Sequence, residues 1–270
     1  MSFRLIINCD DFGWDAAATA AILDLGAQGC ISSTTVMANW ASEADLAALR
    51  GLTNRLSVGY HLNLIHGRPV APAAAVPSLL GPNGQFWPAP QLWLRFLAGR
   101  LRPAELATEL AAQTGRLRDH GLVLSHADSH RHLHLFPGLG PALTRLVREL
   151  GIRRLRRWSP QPSYAQRGRV LNAFGRLSAA GLRGFGTPDA LVAGFSAAQA
   201  ASLPLFAQGL ARARRQGTTI EFMTHPGLAD RPGSYLARRA EYDFWRGETW
   251  RGYLAEQGGR LIRYDEIEAG

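Results

Sequence analysis

Short apolar runs rich in β-branched residues alternate with helical patterns from the first residues of this chain. Each such run gives way to Asp, His or Asn. "RLIIN" predicts a buried strand, and "DAAATAAILDLGAQG" a helix closed by Gly29. "CISSTTVMAN" predicts a second strand, "SEADLAALRG" a short helix opened by Ser42, and "RLSVGYHLNL" a third strand. Strand and helix in strict alternation are the pattern of a parallel α/β fold. Residues 66–90 carry much of the proline and predict a long loop, a length usually tied to function. Two helices follow it, the second being "PAELATELAAQTGRLRDHG"; then come "LVLSHADSHRHLHLFP" as strand into loop and "GPALTRLVRELG" as helix. Residues 159–195 give no clear pattern. Helix resumes over "AAQAASLPLFAQGLARARRQG" despite Pro204, "TTIEFMTHPG" is a strand running into a loop, and "GRLIRYDEIEAG" is a last strand and tail. Neither repeats nor a linker interrupt this, so residues 1–270 are expected to be one domain.

Four polar clusters share one position, the end of an expected strand: Asp10-Asp11, His61, "HADSHRHLH" with Asp128, His130, His132 and His134, and "EFMTHPG" with Glu221 and His225. In α/β barrels the C-terminal strand ends form one face, where active sites are assembled. Adjacent aspartates repel, and burying either without a partner is costly. A divalent ion would relieve that repulsion: one Asp binds it while its neighbour takes a proton from bound water. Mixed Asp and His ligands suit zinc, with magnesium also admissible. A catalytic site needs about three protein ligands and an open position for water. In extended chain, His130, His132 and His134 would line one face, whereas Asp10 and Asp11 would point apart unless the strand bends.

The net charge of +9 would suit nucleic acid, but the chain has no lysine at all, and such an arginine surplus reads as coding bias. The cluster "RRLRRW", with Arg156 and Arg157, is a candidate for an anionic group on a ligand. No apolar run approaches about 18 residues and no signal segment opens the chain, so a cytoplasmic protein without a transmembrane segment is expected. Cys9 and Cys30 lack CxxC spacing, which fits reduced thiols.

"NCDDFG", "GYHLNL", "DSHRHLHLFP" and "EFMTHPG" resemble, in order, the diagnostic blocks of the YdjC-like carbohydrate deacetylases, the ChbG/HpnK group. The resemblance spans residues 8–227. It implies a distorted TIM-like (β/α) barrel of seven strands with its active site at the C-terminal strand ends. It also implies a hydrolase that removes acetyl groups from N-acetylated sugars with one divalent metal ion, zinc or magnesium. Matched block by block, Asp11, His61 and His130 would be the metal ligands, Asp10 the general base and His225 the acid toward the leaving amine. Asp128, His132, His134 and Glu221 would lie behind the ligands or against substrate. Phe12, Trp14, Phe86 and Trp87 are candidates to stack on a sugar ring. Cys9 stands where the family has alanine, and residues 151–200 match no block. The expected partner is an N-acetylated sugar or oligosaccharide, with no nucleic acid and with room for a homodimer. The alternative is a metal-dependent phosphoesterase with a histidine-rich site, which a cluster of two or three ions would favour.

Overall fold

The computed structural model describes residues 2–161, 166–195 and 201–270. Seven strands are all parallel: β1 (Phe3–Phe12), β2 (Ser33–Val36), β3 (Ser57–Leu62), β4 (Leu124–Ser129), β5 (Ala190–Val192), β6 (Thr219–Thr224) and β7 (Gly259–Leu261). Their order is β4-β3-β2-β1-β6-β5, with β7 beside the first residues of β1 and β2 beside its last. Beyond β4, single parallel pairings Ala127–Leu155 and Arg154–Gly186 continue the curl; a few residues later the chain opens β5 against β6. The sheet is a half-barrel ringed by helices α1 (Ala16–Ala27), α2 (Glu43–Arg50), α3 (Ala89–Leu97), α4 (Pro103–Asp119), α5 (Leu139–Glu149), α6 (Gln166–Ser178), α7 (Leu203–Ala213), α8 (Arg238–Arg246) and α9 (Thr249–Glu256).

The elements form for local reasons. Asp15 accepts from the Ala18 amide and starts α1, while Gly29, at φ 66°, ends the turn after it. Ser42 and Asp45 form a reciprocal capping box at α2. Pro204 lies in the first turn of α7, where its missing N–H costs nothing, rather than inside a longer helix. The expected start of that helix, 197–200, lies outside the described residues. The unassigned stretch 159–195 contains α6 and the short strand β5, which completes the seven.

Period-2 alternation sorts β1 cleanly. Phe3, Leu5, Ile7 and Cys9 face the main apolar core under the helices, while Ile6 packs inside the curl with Ile262, Tyr264 and Ile267. The next inward residues are polar. Asn8 bonds Ser33 and faces His126, whose ring stacks on Tyr264 at 3.7 Å between centroids. Asp10 lies one step higher, so the inside of the curl passes from apolar at its base to ionic at its mouth. Among the described residues, no helix is long and apolar enough to cross a membrane.

Gly59 on β3 lets His126 reach across this middle layer: a Cβ there would sit 2.4 Å from the ring's Cε1. Gly59→Ala is therefore expected to destabilise the protein by about 1–3 kcal/mol, the usual cost of overpacking. Urea unfolding measures it as a lower midpoint at unchanged slope; an unchanged midpoint would mean that the His126 layer yields freely.

Candidate active site

The strand ends bring the polar clusters together. Asp10 and Asp11 close β1, His61 lies on β3 directly opposite Asp128 on β4, His130 follows β4, and Glu221 and His225 lie on and just after β6. The bend that the paired aspartates require is present. Asp11 has φ 67°, and the β1–β2 register shifts between Cys9 and Phe12. The left-handed residue turns a side chain that would face the helices inward, so both carboxylates line one cavity.

Asp11 Oδ1 is 3.0 Å from His130 Nδ1 and 3.4 Å from His61 Nε2, and the two ring nitrogens are 3.3 Å apart. Ligand atoms about 2.0–2.2 Å from one tetrahedral or octahedral ion lie about 2.9–3.5 Å from each other, so this triangle fits a divalent metal. Three residues and an open cavity side make the donor set of a catalytic rather than a closed site. The outer nitrogens of both rings are held. His61 Nδ1 is 2.7 Å from Asp128 Oδ1 and 3.1 Å from Thr35 Oγ1, and His130 Nε2 is 2.9 Å from His66 Nδ1. Burial disfavours a charged His61, but Asp128 and Asp11 outweigh it and raise its pKa to about 10; burial lowers that of His130.

Asp10 belongs to a different cluster. Arg156 is fully buried, at 0% exposure, and donates through Nη1 and Nη2 to both Asp10 oxygens at 2.7 and 2.6 Å. The same guanidinium lies 2.7 Å from Asp128 Oδ2 and donates through Nε to Glu221 Oε1 at 2.7 Å. Burial would raise the pKa of Asp10, but Arg156 holds it well below the usual carboxylate range. Glu221 shares that cation with two other acids, and burial pushes it up to about 7. Asp10, His61 and Asp128 form a second triangle of possible ligands, but Arg156 occupies both of its carboxylates. Arg238, from the start of α8, holds the outer oxygen of Asp11 at 2.5 Å.

Four carboxylates, Asp10, Asp11, Asp128 and Glu221, face two guanidiniums, Arg156 and Arg238, so the site is rich in acids.

His225 Nε2 is 3.8 Å from Asp10 Oδ2, and burial lowers its pKa to about 4. Its backbone amide donates to Glu241, which also accepts from Thr224 Oγ1. The cavity measures about 570 Å³, a size typical of small-ligand sites. Trp14, Trp158, Phe195 and Tyr235 give it aromatic walls, and Arg131, Arg231 and Gln161 line it too.

Several expectations change. The three histidines after β4 do not share a face, because Arg131 and His132 are both left-handed (φ 52° and 60°) and coil the segment. His130 faces Asp11, His132 lines the cavity against Trp158, and His134 turns behind to Ser129, 2.6 Å away. Of the candidate stacking rings only Trp14 lines the cavity; Phe12 and Phe86 are core, and Trp87 packs under Arg95. Arg156 is no anchor for a ligand's anionic group: its donors are already taken by three protein carboxylates, and only Arg157 of that pair is exposed. Sequence patterns point to neither His66, Arg238 nor Glu241, and they point to Arg156 only as a partner for a ligand's anionic group. The surplus of acids over one ion's charge was the available signal for the two arginines.

The YdjC-like family model matches residues 4–256. Chitooligosaccharide deacetylase of Serratia marcescens is 32% identical over 275 residues, covering 99% of this chain and all of its own length. The Yersinia pestis protein of the same name is 33% identical, over 97% and 98% of the two chains. Among solved structures, an Enterococcus faecalis protein provisionally assigned to cellobiose-phosphate cleavage superposes with a TM-score of 0.73 at 23% identity, over 98% of each chain. A family 4 carbohydrate esterase from Streptomyces lividans, bound to acetate, superposes with a TM-score of 0.52 at 10% identity, over 99% and 97% of the two chains. These two likenesses bear on the fold alone. With the diagnostic blocks gathered at one cavity and the family model spanning nearly the whole sequence, this chain belongs to the YdjC-like family.

Proposed function

We propose that this protein is a metal-dependent carbohydrate N-deacetylase, releasing acetate from an N-acetylated sugar, with a chitin-type oligosaccharide as the substrate class. The observation that carries the reading is the triangle of Asp11, His61 and His130 at the floor of an aromatic-walled cavity, with Asp10 and His225 beside it. The full-length relatives named chitooligosaccharide deacetylase support the substrate. Asp11 Oδ1, His61 Nε2 and His130 Nδ1 would hold the ion. When bound there, a divalent ion lowers the pKa of water and polarises an acyl oxygen.

The chain's own groups then move the protons. Asp10 is kept ionised and aimed by Arg156, so its Oδ2 is ready to take the proton of the attacking water. Protonating Asp10 leaves Arg156 still paired with Asp128 and Glu221, which eases the change. His225 is neutral at rest, with Nε2 close to Asp10 Oδ2. It is charged by that proton and gives it to the departing nitrogen, because an amide anion is a very poor leaving group. Aromatic walls such as Trp14 and Trp158 give a sugar ring apolar faces to lie against. A multinuclear phosphoesterase is less well supported, since the second ligand triangle already has Arg156 as its cation.

Acetate release from chitooligosaccharides, with and without chelator, tests the reading; activity indifferent to chelator would remove the metal from it. Asp10→Asn should lower turnover by roughly 10²–10⁴, the usual contribution of a general base, while ion uptake stays near wild type. Asp11→Asn should weaken ion uptake, and excess metal should restore part of its activity. Metal titration alongside acetate release separates the two, and loss of the ion in Asp10→Asn alone would reverse the roles.

The burial of Glu221, which its share of the Arg156 cation does not fully offset, also gives a pH signature. Glu221 ionises in the folded protein at about 7 and in the unfolded chain at about 4.3. Between those values the unfolded state binds fewer protons, so the Glu221 contribution makes stability fall as pH rises from about 4 to about 7. Glu221→Gln keeps an acceptor for Arg156 and removes the charge, so the metal-free variant should lose less stability across that window. Denaturation at a series of pH values reads this, and parallel wild-type and variant curves would count against it.

A further inference from the structure

The family blocks leave His66 unassigned, yet its backbone amide and carbonyl are held by four side-chain hydrogen bonds. Asn63 Oδ1 accepts from the amides of Ile65 and His66, both at 3.1 Å, folding the chain back just after β3. The His66 carbonyl then accepts from Asn39 Nδ2 at 2.9 Å, Asn63 Nδ2 at 2.8 Å and Trp40 Nε1 at 3.3 Å. This anchoring delivers the His66 Nδ1 atom to His130 Nε2 at 2.9 Å. Trp14 closes the group, 4.8 Å from the His130 ring centroid in a stacked pair and 5.0 Å from that of His66.

We propose that His66 is a positioning residue: it accepts the Nε2 proton of His130 and so fixes His130 with its Nδ1 lone pair turned to the metal position that it shares with Asp11 Oδ1 and His61 Nε2. The inference rests on those three residues holding a metal. A neutral imidazole carries one proton. His130 offers a lone pair at Nδ1 only if that proton is on Nε2, and the group Nε2 faces must then accept. His66 Nδ1 does so, which puts the proton of His66 on its own Nε2. Ligand histidines generally give their outer N–H to such an acceptor, and losing the acceptor typically costs 10–100-fold in metal affinity. The two ligand rings thus differ: His61 is oriented by a carboxylate, Asp128, and His130 by an uncharged ring.

The test titrates Zn²⁺ into chelator-stripped full-length protein by calorimetry, with the melting temperature of the metal-free form as a fold control. His66→Ala should lower Zn²⁺ affinity by about 10–100-fold, with turnover recovering at saturating Zn²⁺ and KM for a chitooligosaccharide near wild type. His66→Gln, whose amide oxygen still accepts from His130, should keep affinity within a few-fold of wild type; it also carries the test should the alanine variant melt early. Unchanged Zn²⁺ affinity in both variants, or a raised KM at unchanged affinity, would overturn the proposal in favour of a wall of the sugar site. Wild-type protein that takes up no Zn²⁺ would overturn the metal-centre reading and this inference together. Wild-type uptake with an unaffected His66→Ala variant overturns this inference alone.

Discussion

The buried guanidinium of Arg156 is the interaction on which the site depends. It meets carboxylates from three strands, Asp10 on β1, Asp128 on β4 and Glu221 on β6, and so ties the strand ends across the inside of the curl. Taking one cation and three acids out of water is expensive, and such a cluster is tolerable only when its hydrogen bonds are nearly all satisfied. Here they are, because a guanidinium is a planar fork whose Nη1, Nη2 and Nε atoms each find an acceptor. A lysine has three donors on one atom and could not pair side by side with both Asp10 oxygens while reaching Asp128 and Glu221. Through Asp128 the same cation also reaches the metal-type cluster, since that carboxylate orients His61.

The second constraint is backbone strain placed where chemistry needs it. Among the described residues three non-glycine positions have positive φ, Asp11, Arg131 and His132, and all three line the cavity. Each costs of order 1–3 kcal/mol and persists only because neighbours over-determine it. At Asp11 the strain lets two adjacent acids face one space, with Arg238 and His130 holding its two oxygens. At 131–132 it ends the strand abruptly, so His130 alone of the three histidines turns toward Asp11.

What could be read in the sequence follows from these same facts. Strand–helix alternation and polar residues at strand ends are local patterns, and they located Asp10, Asp11, His61, Asp128, His130, Glu221 and His225 at one mouth. Strand β5, Ala190–Val192, could not be read because its three residues lie inside an Arg/Gly/Ser-rich stretch with no apolar run to mark them. Arg156 was hidden by composition: in a chain whose basic residues are all arginine, one buried arginine inside "RRLRRW" looks like its solvated neighbours. His66 was hidden by distance, since its partner His130 is 64 residues away and the turn that joins them is built by side-chain amides rather than by a pattern of types.

The floor and the walls of the cavity come from different parts of this fold. The acids, the ligand-type histidines and Arg156 sit on or next to strands, where neighbouring backbones place side chains more precisely than loops do. The walls come from loops: residues 231–236, Trp14 after β1, and Trp158 and Gln161 in the stretch that matches no family block. Loops can change without disturbing the sheet, so these walls can vary while the acids and histidines at the strand ends stay in place. The position of Arg231 shows how the two layers meet. Its guanidinium lies 4.4 Å over Trp14, and Trp14 in turn stacks on His130. A wall residue therefore rests on the His130 ring through a single intervening indole.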